Sequence, residues 1–327
     1  MSASNPFVRA LTVPRIALWV GLSCGWIACA CRGESDVSAQ PVLASLPAGW
    51  ERVYGDQIEL RLPEEPIELS RDDMLRWVED GARAIEAYYG RLPVTPMRIE
   101  LIRTDSRGID GGNTAVRGDR AWIRVYVGAR ADAADLRRDW VLTHEMVHTA
   151  LAELPEAHHW LEEGIATYVE PIARARAGLE SAESVWRQLV EGLPQGLPAL
   201  EDRGLDTTRT WGRTYWGGAL FCFLADVEIR ERTRNEFGLE DALRAIANDG
   251  LTILTDATIA QVLARGDQAV GVPVLSELYA RHALRSEDVD LDALWKQLGI
   301  SMSRRRITFD DEAPLAEIRR RITRAEK

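Results

Sequence analysis

The chain has 327 residues, of which 46% are hydrophobic and 28% charged, an ordinary globular composition in a chain long enough for a large core. Its net charge of −11 argues against nucleic acid as a partner, because that role needs a basic patch or stripe. Three of its four cysteines (Cys24, Cys29, Cys31) crowd the N-terminus and only Cys222 lies in the body, so any metal there must be held by His and carboxylates.

The first segment reads as an export leader. No Asp or Glu precedes Glu34, and Arg9 and Arg15 lead into an apolar run from Ile16 to Ala30. That run is shorter than the roughly 20 residues a spanning helix needs. It ends in Ala28-Cys29-Ala30-Cys31, a small-residue cleavage site followed by a cysteine. The pattern is similar to a bacterial lipobox, with Ala28 where Leu is usual. The expectation is a leader over 1–30, a lipidated Cys31 that attaches the chain to a membrane of the cell envelope, and a tether over 31–48. One domain follows over 49–327.

Within that domain, 57–62 alternates as a short strand. Residues 72–89 carry Met74, Trp77, Val78, Ala82, Ile85 and Tyr88 at helical spacing, with Ser70 as cap and Gly90 as stop. Strands are expected at 97–102 and 121–127, separated by a loop over 104–120 that is rich in Gly and charge. From Asp132 the pattern turns helical. One long helix is expected over 135–154, ending near Pro155. Others follow over 161–177, 214–232, 239–248, 256–263, 274–283 and 291–298. A short strand at 306–309 and a helix over 314–323 close the chain. Strands first and helices after make an α+β fold, with a sheet part over about 49–131 and a helical part over about 132–327.

The chemistry sits in His144-Glu145-Met146-Val147-His148. Residues four apart on a helix are turned by about 400° and rise by about 6 Å, so both rings leave one face and can grip one ion. Glu145 points about 100° away, where it can reach a water activated by the ion without ligating the metal. Zinc suits this arrangement, because it lowers the pKa of its water to about 7 and the carboxylate can take the proton. A catalytic zinc also needs a third ligand. Glu162 and Glu163 follow His148 after a turn near Pro155, and only one of two adjacent helical residues can face the metal. His158 and His159 lie between the two helices and are read as surface residues. His282 is read as structural and Cys222 as a small buried hydrophobe.

His-Glu-x-x-His followed by Trp160-Leu161-x-Glu163-Gly164-x-Ala166-x-Tyr168-x-Glu170 resembles the gluzincin zinc metallopeptidases, in particular the peptidase MA-like group that includes alanyl and glycyl aminopeptidases. The resemblance spans roughly 70–235 and is firmest over 140–170. It implies a small N-terminal β-sheet subdomain with a helix, then a mostly helical thermolysin-like subdomain. It also implies one zinc ion, held by His144, His148 and Glu163, and a peptide or protein substrate. Glu145 is then the general base, and Tyr215 in Tyr215-Trp216-Gly217-Gly218 the donor to the oxyanion. Two departures stand out. Fourteen residues separate His148 from Glu163, against eighteen in better-known members. The family's Gly-x-Met-Glu-Asn strand, whose Glu binds a free amine, is missing: Gly108 to Asn113 offers only Asp110, in what reads as a turn of a surface loop. Specificity therefore does not carry over. Thr167 stands where thermolysin has Asp, which favours the aminopeptidase-like branch. The strand 121–127 is expected to be an edge strand that pairs with an extended substrate. The rival reading is a zinc-bearing binding or scaffold lipoprotein that kept the fold without catalysis.

Overall fold

Alternation along two strands sets the first layer of the structure, a computed structural model that describes residues 46–325. In β3 (Met97–Thr104) the side chains of Met97, Ile99 and Leu101 are buried. In β5 (Arg120–Gly128) Ala121, Ile123, Val125 and Val127 are buried. With β1 (Trp50–Val53), β2 (Ile58–Arg61) and β4 (Ile109–Arg117) they form a five-stranded sheet in the order β1-β2-β3-β5-β4. The inner pairs β2–β3 and β3–β5 are parallel; both edge pairs are antiparallel. The other face is polar. There the Arg98 guanidinium lies 5.2 Å from the Trp50 ring centre and 5.3 Å from that of Trp122, and Arg98 and Arg120 each pair with Glu59 at 2.7 Å. Helix α1 (Arg71–Tyr89) starts on Ser70, whose hydroxyl accepts the Asp73 N–H, and stops at Gly90 with φ 79°. The predicted leader, Cys31 and residues 32–45 of the tether lie outside the described residues.

Two expectations about the sheet fail together. Residues 109–117, read as part of a loop, form β4, and β5 is therefore an inner strand rather than the edge. The segment has no apolar alternation because it lies on the rim of the sheet and holds Gly111 and Gly112. A bulge between Ile109 and Gly111, the latter at φ 148°, breaks its period further. Its order comes from the ladder it shares with β5, which no local signal announces.

The long helix expected over 135–154 is broken. It is α2 (Ala133–Arg138), then α3 (Val141–Val147), then a 3₁₀ turn over His148–Ala150. Asp139 makes the break. Its backbone is extended at ψ 136°, and its carboxylate accepts the N–H groups of Val141 and Leu142 at 3.0 and 3.1 Å and the Trp77 indole N–H at 3.1 Å. A short acidic side chain that bonds nearby N–H groups ends one helix and starts the next.

Downstream, α4 (His159–Arg176) and α7 (Leu239–Asn248) match the helical periodicity, and α10 (Leu291–Leu298) and α11 (Ala316–Thr323) stand where expected. Helix α5 (Ala182–Gly192) was not anticipated, although Ser181 caps it and Val185, Trp186 and Leu189 are its buried stripe. Helix α6 (Gly218–Arg232) is preceded by a π-helical turn over Arg213–Gly217. Helix α8 (Ile259–Val270) starts later and runs longer than expected, because Thr258 and Gln261 form its capping box. A second π-helical turn, Tyr279–Ala283, extends α9 (Val274–Leu278). The strand at 306–309 is β7 (Arg306–Phe309), paired with an unforeseen β6 (Ile300–Ser303). Helix α4 is the hub and contacts α1, α3, α5, α6 and α11. Behind it, Asp226, Arg230, Glu240 and Arg176 form a buried ionic network with contacts of 2.7–3.0 Å. Tyr168 donates to Asp226 at 2.8 Å.

Burial pushes the Asp139 carboxyl up to about 6, against the pull of the two helix N–H groups, the Arg174 charge and the Trp77 indole. A carboxyl raised in the folded state adds stability below its unfolded pKa of 3.8 that is lost as pH rises through about 6. Wild type should therefore lose up to about 3 kcal/mol relative to Asp139→Asn between pH 4 and 7. Paired urea titrations across that range measure it; a pH-independent difference would contradict the assignment.

Candidate metal centre

The site begins with the short helix α3. Asp139 fixes its first turn, and one turn later His144 and His148 leave the same face. Their ring centres lie 5.0 Å apart at 82°. The Trp140 ring meets His144 edge to face at 5.3 Å, and Thr149 donates to the Met146 carbonyl at 2.7 Å, closing the last turn. The chain then leaves as extended backbone at Leu151. Glu153 bridges to Asp256, with its N–H on the Thr255 carbonyl at 2.9 Å. A 3₁₀ turn over Glu156–His158 leads into α4.

Helix α4 carries both candidate third ligands, and the structure separates them. Glu162 turns back and accepts the Leu154 N–H at 2.9 Å, so it fastens the connection. Glu163 faces the histidines, with Oε2 3.3 Å from His144 Nε2 and 3.7 Å from His148 Nε2. One ligand atom from each of the three residues lies within 4.8 Å of the others. Ligands about 2.0–2.2 Å from a tetrahedral zinc are about 3.3–3.6 Å apart, so the trio fits an ion of that size. All three side chains are at most 16% exposed. Burial alone would raise Glu163, but the His148 charge and the His144 hydrogen bond outweigh it and hold the carboxyl down at about 2. Burial alone would lower His144; the Glu163 contact reverses that too, and the two shifts are one attraction seen from its two ends.

Glu145, on α3, is buried and packs against β4. The Thr114 hydroxyl is 2.7 Å from Glu145 Oε2 and 2.8 Å from the Glu145 carbonyl oxygen. Gly112 makes the close approach possible, because a Cβ there would stand 2.6 Å from Glu145 Cγ. Neither contact was anticipated from the sequence, since both depend on β4.

Tyr215 reaches the site from the π-helical turn. Burial raises its phenol first, then the negative charges of Glu163 and Glu145, so it stays protonated and able to donate. Trp211 stacks on its ring at 5.7 Å between centres. Two glycines let this segment come close. A Cβ on Gly164 would overlap the Gly218 backbone, and one on Gly218 would overlap the Trp160 carbonyl. The π-helical turn, a feature frequent at functional sites, re-aims Tyr215 relative to an unbroken helix.

Around this centre, Glu170 is buried and pairs with Arg174 at 3.1 Å; burial pushes it up to about 7, and its charge acts on His144. Asp110 does not face the centre. Thr104 and Ser106 donate to it at 2.5 and 2.6 Å. His158 meets Asp206 at 3.1 Å, an acid that also accepts from Trp160 and Tyr279 at 2.8 and 2.5 Å. His282 and Cys222 are buried, as expected of structural residues.

No family model matches the chain, and no curated protein matches it. Among solved structures it is similar to an aminopeptidase N family protein from Idiomarina loihiensis, 12% identical, with a TM-score of 0.58 over 77% of this chain and 49% of that one. The chain has a gluzincin peptidase-like fold. It is also similar to the M1 zinc metallopeptidase from Deinococcus radiodurans, 16% identical, with a TM-score of 0.44 over 71% of this chain and 50% of that one. The chain spans about half the length of these structures. In this gluzincin-like fold the sheet and the helices supply different parts of the candidate centre: β4 contacts Glu145, while α3, the 3₁₀ turn after it and α4 carry His144, His148 and Glu163.

Two outcomes follow for the centre. Glu163→Ala should abolish stoichiometric zinc uptake, whereas Glu162→Ala should still take up one equivalent when metal is in excess; atomic absorption on dialysed protein decides between them. Gly218→Ala should cost about 1–3 kcal/mol or more, because the new methyl meets backbone rather than a movable side chain. Urea unfolding measures that loss.

Proposed function

We propose that the chain is a zinc-dependent peptidase that hydrolyses peptide bonds. One observation carries the reading: the converging donors of His144, His148 and Glu163 have Glu145 beside them and Tyr215 near enough to feel both carboxylates. A zinc ion held by the three would acidify a water and polarise a peptide carbonyl. The chain's own residues handle the protons. The Glu145 carboxylate takes the proton from the attacking water and later gives it to the leaving amine. The Tyr215 hydroxyl donates to the carbonyl oxygen as negative charge develops there, an interaction that strengthens in the transition state. Thr114 leaves Glu145 with one oxygen engaged and the other free for the water.

The substrate is proposed to be an extended peptide laid along β4, the rim strand nearest the base. The leader pattern and Cys31 support an exported, lipid-anchored envelope protein. A scaffold that had lost catalysis would have no chemical need for a base held by Thr114 next to the metal donors.

Glu145→Gln should retain one zinc and lose cleavage of a peptide library. Tyr215→Phe should lower kcat by about 10²–10³ with KM little changed. Equal cleavage by wild type and Glu145→Gln would overturn the mechanism.

A further inference from the structure

His159 stands at the start of α4 and reaches both acids that follow it. Its Nδ1 lies 3.0 Å from Glu162 Oε2, and its Nε2 lies 3.4 Å from Glu163 Oε1. The two oxygens of Glu163 are therefore divided. Oε2 faces His144 and His148, and Oε1 faces His159. Glu162 in turn holds the Leu154 N–H through its other oxygen. A continuous chain of contacts runs from the backbone of the inter-helix connection through Glu162 and His159 to the metal-facing carboxylate.

We infer that His159 is a positioning residue for the metal centre: it holds Glu163 Oε1 so that Oε2 alone is presented to the ion. A carboxylate free to turn about its last bond could offer either oxygen or both, and ordering it would weaken binding. Partners of this outer kind commonly contribute about 10- to 100-fold in metal affinity. The bland alternative is a surface ion pair at helical spacing, which would contribute almost nothing. The sequence reading of His159 as a surface residue is half right, since its side chain is 46% exposed. It also lines a cavity of about 120 Å³ with Trp160, Leu205 and Arg209. That exposure also means the ring can be removed without opening the core.

The inference rests on the metal-site half of the proposed function and not on peptide hydrolysis. Zinc affinity is measured by competition with a chromophoric chelator for wild type, His159→Ala and His159→Gln, alongside the unfolding midpoint of each metal-free protein. The expected result is about a 10- to 100-fold loss of affinity for the alanine variant, with partial recovery in the glutamine variant, which retains an N–H donor. The metal-free midpoints should agree. Equal zinc affinity in wild type and His159→Ala overturns the inference. Should the alanine variant fold poorly, His159→Leu, which keeps apolar bulk, takes its place under the same criterion. Wild type that binds zinc but cleaves no peptide would sink the peptidase reading alone; wild type that takes up no zinc sinks both.

Discussion

The backbones of α4 and α6 meet at Gly164 and Gly218, with no room for a side chain at either position. Much of the centre depends on that contact. Gly164 directly follows Glu163, and Gly218 ends the turn that carries Tyr215. Closing the gap to backbone contact brings the phenol into the field of the Glu163 carboxylate. The same helix α4 leans on α1 and α3, so Glu163 and the histidine pair are set by one packing arrangement. A single added methyl would have to move helices, because close-packed interiors do not yield locally.

Charge is handled differently at the centre and behind it. Behind it, Asp226, Arg230, Glu240 and Arg176 are buried and pair with one another. A buried ion pair is weak grounds for stability but strongly constrains geometry, since breaking it strands a charge. At the centre, Glu163 is buried among histidines, which are neutral when they ligate a metal. The Glu163–His144 attraction offsets the cost of burying that carboxylate. Glu170 and Arg174 supply an outer charged pair whose influence reaches His144.

The rim strand β4 brings the sheet to Glu145. Gly112 permits it to approach Glu145, and Thr114 fastens the two together. Asp110, the acid nearest in sequence, is turned to Thr104 and Ser106 instead. The residue set along this edge is small and neutral where it meets Glu145.

The metal donors were legible in the sequence because an α-helix converts a spacing of four into a shared face. His144, His148 and the choice between two adjacent acids follow from local geometry and a family pattern. Helices α1, α4 and α7 were legible for the same reason, as their stripes repeat at the helical period. Two things were not legible. The break at Asp139 depends on Trp77, sixty-two positions away in sequence, and on burial that raises the value of a cap. Strand β4 carries no alternation of its own and is ordered by pairing with β5. The sequence alone determined which side chains share one helix face as candidate metal donors, because that follows from fixed local spacing. Only the tertiary structure decided that Glu162 turns back to the Leu154 N–H, and that Thr114 and Gly112 of the rim strand meet Glu145. Those contacts join segments that no local period relates.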